Sequence, residues 1–191
     1  MSRKNIKTII KEELNNILGN SLYVFDFDDT LVTDTATVYV KTPSGESIPL
    51  TNHEFHNYKV KEGETLDFRE FDDVTAPSVH KSIMSLLKRH LDNSVILTAR
   101  TKTGPIKKYM NGLGVHVPQI IAVGSRDEDQ NSVIINAMRK RDWIDKAIQV
   151  RDLKYVEFWD DNEHNVENVE SLQKKYPDVK IICHLVNHGN S

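Results

Sequence analysis

The chain has 191 residues with one cysteine, contents of 38% hydrophobic and 28% charged residues, and a net charge of −3. These values are typical of a globular domain with its own core, and they exclude a disulfide scaffold and a broadly basic nucleic-acid-binding protein. No apolar run reaches transmembrane length, and the amino terminus lacks the continuous hydrophobic region of a signal peptide. We therefore expect one cytoplasmic domain over residues 1–191, with no membrane association and no obligate protein partner.

The first half of the chain predicts a helix, a buried strand and an insert. Apolar residues recur at helical spacing over residues 4–18, where the apolar face is expected to pack on the core, with a dimer contact as the alternative. The run LYVFDF, which begins at Leu22, is typical of a buried parallel strand. Residues 33–76 are the expected insert: TVYVKTPSGESIPL predicts two strands around a turn, and the polar stretch after it has little periodicity.

The second half of the chain alternates helices with strands. Helices are predicted at SVHKSIMSLLKRHL, GPIKKYMNGL, SVIINAMRKRDWIDKAIQ and EHNVENVESLQKKY, and strands at SVILT, QIIAVG, YVEFW and VKIICHLV. This alternation predicts an α/β fold with a Rossmann-like parallel sheet flanked by helices, and a small insert or flap after the first strand. Such sheets bind ligands beyond the carboxyl ends of their strands, where the strand order reverses. Polar residues at strand ends are therefore candidate site residues.

Three of the predicted strands end in Asp26, Thr98 and the pair Asp160 and Asp161. Carboxylates from two strands can share a hard cation such as Mg²⁺, which prefers oxygen ligands and relieves their mutual repulsion. A threonine hydroxyl can donate to a phosphate oxygen, and a nearby lysine would neutralise a phosphoryl group. The alternative for the acid pair is capping of the next helix, and the two roles can coexist. The pattern therefore indicates a metal and phosphate site.

The segments DFDDTL, VILT and VEFWDD match three motifs of the haloacid dehalogenase (HAD) superfamily in order, each at the end of a predicted strand. From Leu22 to Val186, apart from the insert, the chain resembles HAD phosphatases of the small-cap phage and bacterial type. The resemblance implies a HAD-like fold and a magnesium-dependent phosphatase that hydrolyses a phosphomonoester through an aspartyl-phosphate. The second acid of DFDDTL favours phosphate chemistry, because dehalogenases of the family usually lack it.

The same resemblance implies roles for individual residues. Asp26 matches the nucleophile, Asp28 the general acid and base, and Thr98 the phosphate-binding hydroxyl. Magnesium is expected on the carboxylate of Asp26, the backbone carbonyl of Asp28 and the carboxylate of Asp160. Asp161 is expected in the surroundings of the ion, outside its direct ligands.

The third-motif lysine and a substrate-binding arginine have less sequence context. Lys140 is preferred over Lys146, because its distance from the acid pair suits a helix followed by a strand. Arg100, in LTAR, is expected to bind the phosphate or the rest of the substrate bidentately, with a surface position as the alternative. Asp29 has the opposite strand parity to Asp26 and is expected to lie in a turn.

The expected substrate is phosphorylated, either a small molecule or a nucleic-acid end, and two other functions stay open. A nucleic-acid 3′-phosphatase is favoured by LTAR and by a basic run: Arg139, Lys140, Arg141, Lys146, Arg151 and Lys154. Interleaved acids and the negative net charge oppose it. A non-catalytic HAD-like binding module is opposed by the presence of both Asp26 and Asp28.

Overall fold

The computed structural model describes residues 19–33, 36–51, 54–55, 58–74, 78–125 and 133–187. Its strands are β1 (Ser21–Phe25), β2 (Val32–Thr33), β3 (Val38–Lys41), β4 (Ser47–Leu50), β5 (Thr65–Asp67), β6 (Ser78–Val79), β7 (Ser94–Thr98), β8 (Gln119–Ala122), β9 (Tyr155–Asp160) and β10 (Lys180–Leu185). Its helices are α1 (Lys81–Arg89), α2 (Gly104–Gly112), α3 (Val133–Arg151), α4 (Glu163–Glu170) and α5 (Leu172–Lys175). The helix predicted at residues 4–18 lies outside the described ranges. Within them, no helix combines the length and the apolar character needed to cross a membrane.

Five strands form one parallel sheet in the order β10-β9-β1-β7-β8. The chain leaves the central strand β1 on one side through β7 and β8, and it returns to the other side with β9 and β10. The strand order therefore reverses at β1 and β9, which is where α/β sheets bind ligands. The predicted α/β class and parallel sheet are confirmed, and the topology is compatible with a Rossmann-like fold.

Helices cover both faces of this sheet. Alternate residues of β1 face opposite sides: Leu22 and Val24 pack with α3 and α4, whereas Tyr23 and Phe25 pack with α1 and α2. All four side chains are buried. A strand with two buried faces reads as a continuous apolar run, as LYVF does. The first acid after this run consequently emerges at the edge of the core.

The insert contains a separate antiparallel sheet in the order β4-β3-β5. The two predicted strands, β3 and β4, are confirmed, with Gly45 at a φ of 87° in the turn between them. The third strand, β5, was not predicted, because three residues are too few to give a pattern. The sheet has a small core of its own, made of Val38, Val40, Leu50 and Leu66. A two-residue antiparallel pairing of β2 with β6 joins the two ends of the insert.

Three predicted boundaries are corrected. The helix predicted from Ser78 begins at Lys81, because Ser78 and Val79 pair with β2 and extend the chain. The predicted helix EHNVENVESLQKKY is two helices, α4 and α5, with Ser171 between them. The strand predicted as QIIAVG ends at Ala122: the amide of Val123 still bonds to the last residue of β7, Thr98, but the amide of Gly124 bonds to Arg100 in the loop that follows.

Candidate active site

The segment after β1 directs two acids into one cavity. The amide of Asp26 donates to the carbonyl of Trp159 at 2.9 Å, so the pairing of β1 with β9 continues past the strand. Asp26 and Asp28 both line the cavity, whereas Phe27 between them is buried in the core. Asp29 lies in a turn with a φ of 54°, as its parity predicted. The three acids of DFDDTL therefore have different environments.

Lys140 joins the nucleophile candidate to the acid of the neighbouring strand. Its Nζ donates to Oδ1 of Asp26 and to Oδ2 of Asp160, both at 2.7 Å. The residue is 1% exposed, and it lies about two turns inside α3 rather than at the helix end. Burial opposes its charge, but Asp160 and Asp26 outweigh burial and raise the pKa of Lys140. Lys146 is exposed, so the structure brings the preferred lysine of the two to the site.

Asp160, at the end of β9, is buried and accepts hydrogen bonds from three residues. Besides Lys140, it accepts hydrogen bonds from the amide of Asn162 at 2.9 Å and from Nδ2 of Asn165 at 2.7 Å. The side chain of Asn162 accepts from the amide of His164 and caps α4. Capping, the alternative for the acid pair, is thus the role of Asn162. Asn165, which is buried, was missed from sequence, where the available signal was an asparagine beside apolar Val166 shortly after the acid pair.

Three carboxylates could hold a metal ion together. One oxygen each from Asp26, Asp160 and Asp161 lies within 4.8 Å of the other two. Asp161, expected outside the direct ligands, therefore belongs to this cluster. The carboxylate of Asp28 instead bonds to Arg100, and the metal role expected for the Asp28 backbone carbonyl stays a prediction.

The charges of this cluster do not balance. Three carboxylates face the single ammonium of Lys140, which leaves two negative charges when all are ionised. Burial, and then the nearby carboxylates, raise the pKa of Asp26 well above its ordinary value, despite Lys140. Burial and Asp160 likewise raise the pKa of Asp161 to about 8. A divalent cation with a preference for oxygen ligands fits both the donor atoms and the excess charge.

Arg100 connects the second acid to the insert. Its Nε and Nη2 donate to the Asp28 carboxylate at 2.8–3.2 Å. Its Nη1 donates to the backbone carbonyls of Phe71 at 2.9 Å and Asp73 at 2.7 Å. The side chain is 1% exposed, so the alternative surface position is wrong. Although Arg100 lines the cavity, these donors go to protein groups, and the predicted substrate contact stays a prediction.

The loop after β7 positions Thr98 and the residues that follow it. Thr98 is fully buried, and its hydroxyl oxygen accepts the amide of Arg100 at 3.1 Å. Ala99, Arg100 and Thr101 line the cavity, and the phosphate contact predicted for Thr98 stays untested. Gly124 lies against this loop: a Cβ there would come within 1.9 Å of the carbonyl oxygen of Ala99. Sequence reasoning missed Gly124, whose signal was a glycine at the end of the run QIIAVG.

The insert contributes to the lining of the cavity, which has a volume of about 120 Å³. Three phenyl rings of the insert line it, those of Phe55, Phe68 and Phe71. Lys102 and Asp72 form an ion pair at 2.6 Å, which adds a second link between the insert and the loop after β7. The cavity is thus lined both by acids that follow the strands and by phenylalanines of the insert.

No family model, curated protein or solved structure matches this chain in comparisons with known proteins.

Proposed function

We propose that this protein is a magnesium-dependent phosphatase that hydrolyses a phosphomonoester through an aspartyl-phosphate on Asp26. The observation that carries the proposal is the buried arrangement of Asp26, Lys140 and Asp160 at the reversal of strand order. Asp28 lines the same cavity two residues after Asp26. A nucleophile, a proton carrier and a cation are the groups that covalent phosphoryl transfer requires.

In the first step, a carboxylate oxygen of Asp26 attacks phosphorus, an O–P bond forms, and the bond from phosphorus to the leaving oxygen breaks. Asp28 gives its proton to the leaving oxygen, which departs as an alcohol. In the second step, Asp28 takes a proton from water, and the resulting hydroxide displaces the Asp26 carboxylate from phosphorus. Inorganic phosphate leaves, and both acids return to their starting states. Lys140 orients Asp26 and stabilises the charge of the transferring group.

The metal would be bound by the carboxylates of Asp26, Asp160 and Asp161. When bound, it supplies positive charge for the phosphoryl oxygens. The proposal of a metal ion is supported by the clustering of three carboxylate oxygens with one ammonium group. Asn162 and Asn165 donate to Oδ1 of Asp160, the oxygen that Lys140 does not contact, and so hold the carboxylate in place. Such hydrogen bonds to a ligand fix its orientation.

The test is phosphate release from p-nitrophenyl phosphate and from a panel of sugar phosphates, nucleotides and phosphorylated oligonucleotides, with Mg²⁺ and with EDTA. We expect Mg²⁺-dependent turnover that Asp26→Asn abolishes. Asp142→Asn is the matched control, since Asp142 is 62% exposed and lies outside the cavity. Hydroxylamine should release phosphate trapped on the wild-type protein during turnover. A protein that releases no phosphate from any panel member, or that retains activity in Asp26→Asn, contradicts the proposal.

The two other functions receive less support from the described residues. For a nucleic-acid 3′-phosphatase, Lys140 of the basic run points to buried acids, while Arg141 and Lys154 pair with Asp142 and Asp152. These pairs reduce the positive charge available to a phosphate backbone. A binding module without catalysis has no need of a buried lysine between two acids. Tight protein binding that survives Asp26→Asn would favour the module.

A further inference from the structure

The cavity of the proposed active site has an aromatic wall, which we define as the rings of Phe55, Phe68 and Phe71. The wall lines the same cavity as Asp26 and Asp28. Phe68 is central: its centroid lies 5.6 Å from that of Phe55 at 83° and 6.2 Å from that of Phe71 at 65°. These are edge-to-face arrangements. A group attached to a phosphoryl group at Asp26 would therefore have phenyl rings within the same cavity.

The rings have fixed positions but incomplete burial. They pack against the insert core that includes Val40 and Leu66, and all three are partly buried rather than fully covered. The guanidinium carbon of Arg100 lies 5.1 Å from the centroid of Phe71, which further fixes that ring. When a ligand covers apolar surface that is exposed in a cavity, the burial of that surface favours binding. The wall is therefore a preformed apolar surface beside the reacting groups.

We infer that this wall binds a planar aromatic ring on the leaving-group side of the phosphomonoester, so that the preferred substrate is a small aromatic phosphate ester. The inference rests on the proposed function. An apolar cavity of about 150 Å³ takes up one benzene molecule, so a cavity of about 120 Å³ that also receives the phosphoryl group limits the leaving group to one ring. Edge-to-face contacts add to simple area burial, so a planar ring is favoured over a saturated ring of the same size.

The experiment compares benzyl phosphate with cyclohexylmethyl phosphate, two esters of primary alcohols that differ in the planarity of the ring. We expect kcat/KM to favour benzyl phosphate by about 2- to 12-fold, the range for aromatic pairs. Phe68→Leu keeps an apolar side chain but removes the central ring, and the ratio should fall towards one. Tyr58→Leu is the matched control, because Tyr58 packs on the same insert core but does not line the cavity, and the ratio should stay at the wild-type value.

The inference is overturned if the ratio of the two kcat/KM values is one in the wild type, or if Phe68→Leu leaves that ratio unchanged. The wall would then be part of the insert core only. Binding of benzylphosphonate and cyclohexylmethylphosphonate, measured by calorimetry, gives a second readout that needs no turnover. If neither ester is hydrolysed, the phosphate-release panel decides the proposed function, and the calorimetry still decides the inference. Tighter binding of benzylphosphonate that Phe68→Leu abolishes supports the wall, and equal binding of the two phosphonates overturns it.

Discussion

The guanidinium of Arg100 donates to both carboxylate oxygens of Asp28, a residue 72 positions earlier in the chain. The same guanidinium donates to the carbonyls of Phe71 and Asp73 in the insert. A bidentate contact fixes the plane of a carboxylate as well as its position. Arg100 is thus a positioning residue, and the orientation of the proposed proton carrier depends on the place of the insert.

Arg100→Lys keeps the charge but loses the planar pair of donors, so it should impair proton transfer to the leaving oxygen. We expect kcat for an alkyl phosphate to fall by about 10- to 100-fold, part of the ~10²–10⁴-fold of a general acid. The loss with p-nitrophenyl phosphate should be smaller, because nitrophenolate leaves without a proton. Steady-state kinetics with both substrates measures the difference. Arg141→Lys is the control, and an equal loss on both substrates would contradict the positioning role.

Lys140→Met should destabilise the metal-free protein strongly, because two buried carboxylates lose their only cation among the described residues. Breaking a buried ion pair from one side costs about 3–5 kcal/mol. Urea unfolding in EDTA at pH 8 measures the free energy of unfolding. Lys146→Met, at an exposed position of the same helix, should change it by no more than about 0.5 kcal/mol. Similar values for both variants would show that Lys140 does not balance the cluster.

The raised pKa of Asp161, about 8, gives a pH dependence to the stability of the metal-free protein. In the folded state Asp161 keeps its proton at pH values above 3.8, the ordinary pKa of an aspartate. Its contribution to the free energy of unfolding is therefore fully present below pH 3.8. It is lost as pH rises towards 8. We expect the free energy of unfolding in EDTA to decline between pH 5 and pH 8 more steeply in the wild type than in Asp161→Asn. Equal slopes would contradict the assignment.

Saturating Mg²⁺ should oppose this decline, because the ion binds the ionised carboxylates and stabilises the state that binds it. The stabilisation by Mg²⁺ is thus expected to grow from pH 5 to pH 8. Asp142→Asn, at an exposed site, should behave as the wild type does. A stabilisation that is independent of pH would indicate binding elsewhere.

Much of the fold was predictable because its signals are local. The run LYVF has two buried faces and therefore no alternation, which predicts a central parallel strand. The opposite parity of Asp26 and Asp29 predicted a turn position for Asp29, which the structure confirms. Lys140 was preferred over Lys146 partly for its distance from the acid pair, and the structure places Lys140 between two acids.

The contacts between distant segments could not be predicted in the same way. LTAR contains nothing that specifies Asp28 or the carbonyls of Phe71 and Asp73 as the partners of Arg100. Those contacts depend on how the insert folds back, and its polar stretch gives no periodic signal. The aromatic wall was missed for the same reason: Phe68 and Phe71 lie at the short helix Arg69–Asp72 that follows β5, whereas Phe55 lies in an earlier part of the polar stretch.

Gly124→Ala should disturb the loop of Thr98 and Arg100, because the new Cβ would lie 1.9 Å from a backbone oxygen that must shift. We expect a loss of about 1–3 kcal/mol in stability, the range for overpacking, together with lower activity. Thermal unfolding and phosphate release measure the two effects. Gly112→Ala is the control, because a Cβ there meets no atom within 4 Å. A fully active and stable Gly124→Ala protein would contradict the close approach.

The pairing of Val32 with Val79 and of Thr33 with Ser78 brings the two ends of the insert side by side. Between these points the chain can vary in length at little entropic cost, because the closure penalty grows only with the logarithm of loop length. The insert can consequently change in length at little cost to the parallel sheet, provided that it keeps the carbonyls of Phe71 and Asp73 that Arg100 contacts. A different segment grafted between Thr33 and Ser78 could change which molecules are accepted, while Asp26, Lys140 and Asp160 stay in place.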